Sequence, residues 1–177
     1  MVLEGEQRYI DQIITEVSGG KLIIKKENWK FNMNGKVTVY VTMPELKGLG
    51  VSGSGKAEVK DPIKTNDLDL SVSGSGKLYA SDISVSNLDC SISGSGDIIL
   101  ESGSAKEGSI SVSGSGNYMG ESVKIGTAVI HISGSGNCTC DVTESLKASV
   151  SGSGNVTYGG NPRVDAHVSG SGKVRSR

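Results

Sequence analysis

Aromatic residues are scarce: one tryptophan, one phenylalanine and five tyrosines make up 4% of 177 residues. Large rings supply much of the buried area of an ordinary globular core, so a core of that kind is excluded. A one-sided charge is also missing. Nineteen acidic residues stand against 18 basic ones, which excludes the basic excess that nucleic acid or an anionic membrane surface requires. No run approaches the roughly 18 apolar residues of a bilayer-spanning helix. Residues 1–6 carry neither the basic nor the apolar stretch of a secretion signal. Cysteine is limited to Cys90, Cys138 and Cys140, an odd count. Cys138 and Cys140 stand two apart on one expected strand, about 7 Å between equivalent atoms, which is too far for an undistorted disulfide. Three buried thiols acting as small hydrophobes are therefore expected.

Glycine, by contrast, is abundant. Fourteen of the 26 glycines lie in seven copies of Ser-Gly-Ser-Gly, beginning at Ser52, Ser73, Ser93, Ser113, Ser133, Ser151 and Ser169. Successive copies are 21, 20, 20, 20, 18 and 18 residues apart. A fixed period near twenty marks a solenoid, in which each repeat is one coil stacked on the last.

Within a coil such as 77–96 (K-L-Y-A-S-D-I-S-V-S-N-L-D-C-S-I-S-G-S-G), apolar and polar residues alternate with a period of two. That is the pattern of a strand with one buried face. Aligning the coils on the motif gives four inward columns. The residue just before the motif is Val51, Val72, Ile92, Val112, Ile132, Val150 and Val168, β-branched in every coil. Two positions earlier stand Leu49, Leu70, Cys90, Ile110, Ile130, Ala148 and Ala166. After the motif run Ala57, Leu78, Ile98, Tyr118, Cys138 and Val156, then Val59, Ala80, Leu100, Gly120, Cys140 and Tyr158. The motif itself is the corner. Its glycines permit unusual backbone angles and close approach of coils, and its serine hydroxyls can bond along the stack. Just after the corner, Asn117, Asn137 and Asn155 suggest an amide ladder, and Lys77 beside Asp97 a cross-coil ion pair.

The fold expected is all-β: a right-handed parallel β-helix of about seven regular coils of 18–21 residues, forming one domain over 1–177. Residues 49–177 make the regular coils. Residues 1–48 lack the corner, and their alternating stretches 21–25 and 36–43 are expected to be less regular early coils or a cap. Residues 6–17 could form a short helix or another strand, with strand and turn the expectation.

The run 37–46 (V-T-V-Y-V-T-M-P-E-L), the V/I-S-G-S-G corners and the closing 160–162 and 168–174 segments resemble the bacterial "putative auto-transporter adhesin, head GIN domain" family. The resemblance spans nearly the whole chain. It implies a β-helix at or beyond the cell envelope of Bacteroidetes-type bacteria, an adhesive role, and no catalytic motif. Residues 10–20 (I-D-Q-I-I-T-E-V-S-G-G) resemble a segment well inside that family's domain, so the localisation rests on the resemblance and implies a start upstream of Met1.

Chemistry would have to sit on outward positions of neighbouring coils. Asp67, Asp69 and Asp89 form the best acidic constellation, with Asp69 and Asp89 in one column. Paired carboxylates suit glycoside hydrolysis or a hard cation, as in pectin-degrading β-helices. No basic or histidine partner follows in that column, so a solvated face is the expectation. His131 and His167 share a column two coils apart, about 10 Å, too far to hold one metal. No Ser-His-Asp order and no Gly-Lys-Ser phosphate loop occurs. No cofactor or metal is expected. One outward column stands out: Tyr79, Ile99 and Met119 make an apolar stripe suited to a carbohydrate or a surface protein. The function expected is thus a non-catalytic, adhesin-like binding module. Its alternatives are a polysaccharide-active enzyme and a structural module contacting lipid or protein.

Overall fold

The computed structural model describes residues 1–27 and 35–177; residues 28–34, part of the segment expected to cap the stack, lie outside the described residues. Two compact units divide the chain, Met1–Pro44 and Glu45–Arg177.

In the first unit the early strands do not stack as parallel coils. Val2–Glu4 pairs antiparallel with Thr38–Tyr40, and Ile13–Ser18 pairs antiparallel with Lys21–Lys26. The second pair turns at Gly19 and Gly20, whose φ values of 57° and 75° are those of a two-residue hairpin turn. Between Val2–Glu4 and Ile13–Ser18 lies a single helical turn, Gln7–Ile10, so residues 6–17 hold both a short helix and a strand.

The second unit is the solenoid. Every strand–strand pairing in it is parallel, and the coils number about six, one fewer than the seven corners suggested. Seven corners bound only six full intervals. In each regular coil a long strand such as Ile83–Gly94 leads into the corner, and a short strand such as Asp97–Leu100 leaves it. Alternation breaks inside the long strand: Val85 and Leu88 are both buried, with two residues rather than one between them. That break bends the strand, so a coil has three sides, 83–85, 87–94 and 97–100.

The inward columns are buried as expected through the middle of the stack. Leu70, Leu78, Ala80, Cys90, Ile98, Ile110, Tyr118, Ile130, Cys140 and Val156 are all fully inaccessible. On the 83–85 side a further inward row, Ile63, Ile83, Gly103 and Val123 in register, closes the triangle. The change of repeat from 20 to 18 residues is absorbed on that side. Register shifts occur between Gly120 and Lys124 and again between Ile125 and Thr127, while every corner stays in register. The corner is held by backbone amides rather than by serine hydroxyls: Ser115 N–H donates to the Gly94 carbonyl at 2.8 Å, and Asn117 N–H to the Gly96 carbonyl at 3.1 Å.

Tyr118 is the one bulky polar side chain in this interior. Its hydroxyl is buried with no hydrogen-bond partner, and Gly120 is small where the ring lies, since a Cβ there would meet the Tyr118 Oη at 2.5 Å. Burial, followed by the neighbouring Cys90, Cys138 and Cys140, keeps the phenol protonated far above its usual range. All three thiols are free and buried.

Candidate binding face

The side formed by the short strands carries the apolar stripe. Lys56–Val59, Lys77–Ala80, Asp97–Leu100 and the starts of the next strands lie in parallel register, with Glu58 beside Tyr79, Tyr79 beside Ile99, and Ile99 beside Met119. Inward Leu78, Ile98 and Tyr118 anchor these strands, which forces the alternate residues outward. The structure thus brings Tyr79, Ile99 and Met119 together. Tyr79 and Ile99 are half-buried, and Met119 is 38% exposed. The Lys56 Nζ lies 4.3 Å from the Tyr79 ring centroid and 2.9 Å from the Glu58 carboxylate. A cation held over the ring face restrains its orientation.

Immediately beside the stripe runs a polar ladder. The Lys77 Nζ meets the Asp97 carboxylate at 2.7 Å. Asn117 Nδ2 donates to Asp97 at 2.9 Å, Asn137 to Asn117 at 3.0 Å and Asn155 to Asn137 at 3.0 Å. The ion pair and the amide ladder, separate features in the sequence, are one continuous chain. Asp97 is 7% exposed, and is the buried charge at its head. Burial opposes that charge, but the Lys77 ammonium and the Asn117 amide outweigh it and hold the carboxyl below the usual range. Asn117 and Asn137 each use one N–H and one oxygen lone pair along the row, and Asn155 one N–H, which leaves further donors and acceptors for a ligand.

The acidic constellation lies on a different side of the coil. Asp69 and Asp89 are in register, and Asp67 accepts from Asn87 Nδ2 at 2.7 Å. All three are exposed. Burial and then Asp69 raise the Asp89 carboxyl above its ordinary value. A raised carboxyl contributes stability fully present below the unfolded-state value, and loses it as pH rises through the folded-state one. Asp89→Asn is therefore expected to raise Tm at pH 7, and the gain over the parent chain should vanish below about pH 4. Thermal melts at the two pH values check this. Among the described residues, no group of three or more His, Cys, Asp or Glu is placed to hold a metal ion. His131 and His167 stand two coils apart, both exposed. Among the described residues no helix is long and apolar enough to cross a membrane.

A family model described as "putative auto-transporter adhesin, head GIN domain" matches residues 1–162. Three solved structures share the fold. A putative adhesin of Bacteroides fragilis is 25% identical with a TM-score of 0.90, covering 99% of this chain and 81% of its own. A putative adhesin of Parabacteroides merdae is 25% identical with a TM-score of 0.81, covering 99% and 82%. A putative lipid binding protein of Parabacteroides distasonis is 28% identical with a TM-score of 0.77, again covering 99% and 82%. A comparison with curated proteins returned no match.

Proposed function

The chain belongs to the family described as "putative auto-transporter adhesin, head GIN domain", and on that premise we propose that it is a non-catalytic, envelope-associated binding module whose ligand lies along the Tyr79, Ile99 and Met119 face. The ligand class that fits best is a neutral saccharide. One observation carries this: an apolar strip with a tyrosine runs in register beside a row of amides with spare donors and acceptors. A sugar ring has the same division, with C–H faces that pack on apolar or aromatic surface and an edge of hydroxyls that hydrogen-bond. A coil spacing of about 4.8 Å repeats both features along the stack, which suits an extended chain of sugars.

The carboxylates supply little support for hydrolysis. Asp69 and Asp89 lie on another side from this face, and Asp67 is tied to Asn87. Incubation with pectic and mucin-type glycans is expected to give binding with no release of reducing ends. Reducing ends that disappear in Asp69→Asn/Asp89→Asn would replace the binding module by a hydrolase.

A second reading, contact with lipid, is favoured by the first unit. There Thr15, Val17, Leu22, Val41 and Met43 line a concavity of about 410 Å³, and Val2, Val17, Ile24, Tyr40 and Met43 are exposed. The lipid-binding relative gives this reading its chemical class.

A further inference from the structure

Among the described residues Asp97 is the one buried charged side chain. Its partners show what a charge does there. Lys77 meets it from the preceding coil at 2.7 Å, and Asn117 donates to it from the following coil at 2.9 Å. An ionised carboxylate only accepts hydrogen bonds, whereas an amide both donates and accepts. Facing Asp97, Asn117 can therefore offer only its N–H, and its oxygen is left for the next coil. Asn137 meets that oxygen with its own N–H at 3.0 Å, and Asn155 repeats the step on Asn137 at 3.0 Å. All three amides run the same way along the stack.

Nothing within the three asparagines selects that direction. A row of amides alone is equally well satisfied when every member is turned over, with each oxygen toward the earlier coil. The backbone is indifferent too, since the strands at 117–120, 137–141 and 155–159 pair in the same register either way. The choice comes from the end of the row. Aligned amides polarise one another, so a fixed first member holds those behind it.

We propose that Asp97 is a positioning residue for recognition: it sets the direction of the whole amide row, and through the row decides where a ligand meets a donor and where an acceptor. This rests on the reading of the face as a saccharide site. The ring and linking oxygens of a sugar chain accept only, so each needs an amide N–H at its own height along the stack. A row turned over would set amide oxygens there instead, acceptor against acceptor. Lys77 sharpens the choice from the other side of Asp97. An ammonium only donates, so it agrees with a carboxylate at position 97 and opposes an amide N–H there. In Asp97→Asn the ammonium draws the new amide oxygen, and the new N–H group faces Asn117. The row is then driven to turn over as far as Asn155, about 14 Å away.

Side-chain amide NMR reads the direction without any ligand. In the parent chain Asn117, Asn137 and Asn155 should each give a single pair of N–H signals. In Asp97→Asn the signals of all three should shift or double, Asn155 included. The lost charge by itself is screened beyond about 10 Å at 0.1 M salt, so a merely local role would move Asn117 and leave Asn155 as it was. Melting curves establish that the variant folds; should it not, the parent spectrum decides, since two sets of signals there would mean a row without a fixed direction. On pectic and mucin-type glycans, Asp97→Asn should bind about three- to tenfold more weakly than the parent chain. Equal binding by the two overturns the role in recognition, and a change confined to Asn117 overturns the control of direction. A parent chain that binds none of these glycans removes the saccharide site and the recognition role together, while the spectra still decide whether Asp97 directs the row.

Discussion

Gly114→Val is expected to unfold the corner, with a loss of about 3 kcal/mol or more. Two separate obstacles add up at this position. Gly114 has φ +117°, in a region that side chains rarely adopt, and a Cβ there would be driven into the Gly94 carbonyl oxygen of the coil below. That oxygen cannot retreat, because it accepts both the Ser115 and the Gly116 amides at 2.8 and 3.0 Å. The obstruction is backbone against backbone, with no flexible side chain to yield. In a chain of this size the loss corresponds to a fall in Tm of about 6–12 °C. Ser115→Ala, an exposed residue of the same corner, is the matched control and should stay within about 0.5 kcal/mol. Gly116 has an ordinary φ but the same kind of neighbour, since a Cβ would meet the Gly96 carbonyl oxygen and the Ile92 side chain. Both glycines of the motif are therefore required, the first for its conformation and its clearance, the second for clearance alone. A parent-like melting temperature for Gly114→Val would contradict the corner described here.

The solenoid was legible in the sequence because its determinants repeat. A column such as Val72, Ile92, Val112, Ile132 and Val150 is visible without coordinates, and each member is buried. The stripe followed by the same arithmetic, since residues in one register must be neighbours. What periodicity could not supply is how different sides of a coil face one another. Tyr118 was placed inside, but its meeting with Cys90, on another side and in another coil, depends on how the three sides fold around the axis. The extension of the asparagine ladder to Asp97 was within reach, since Asp97 occupies the same column as Asn117. The early strands lie before the first corner motif at Ser52 and pair antiparallel rather than as parallel coils. Gly19-Gly20 between two alternating stretches is the local sign of a hairpin, and it forces antiparallel pairing where a coil would be parallel. The backbone makes the corner bonds that serine hydroxyls could have made, because a corner tight enough to need glycine also brings amides and carbonyls into direct contact.

Tyr79→Ala/Met119→Ser is the substitution expected to have the largest effect on binding. Tyr79 supplies the only ring on the stripe, and Met119 its most exposed apolar end, at 38%. Both side chains point away from the interior, so removing them takes contact area from a ligand without opening a cavity in the core. The fold should survive with a change of about 1 kcal/mol or less. Loss of an aromatic platform and an apolar contact together should cost at least about tenfold in affinity, equivalent to about 1.4 kcal/mol or more. The amide ladder beside the stripe is left intact by the change, which makes the result specific to the apolar strip.

The decisive measurement is binding of the parent chain and this double variant to a glycan array that includes pectic and mucin-type glycans. Saturable binding by the parent chain that is lost in the variant is the predicted result. A parent chain that binds none of the glycans, or a variant that binds them as tightly as the parent, would contradict a saccharide site on this face.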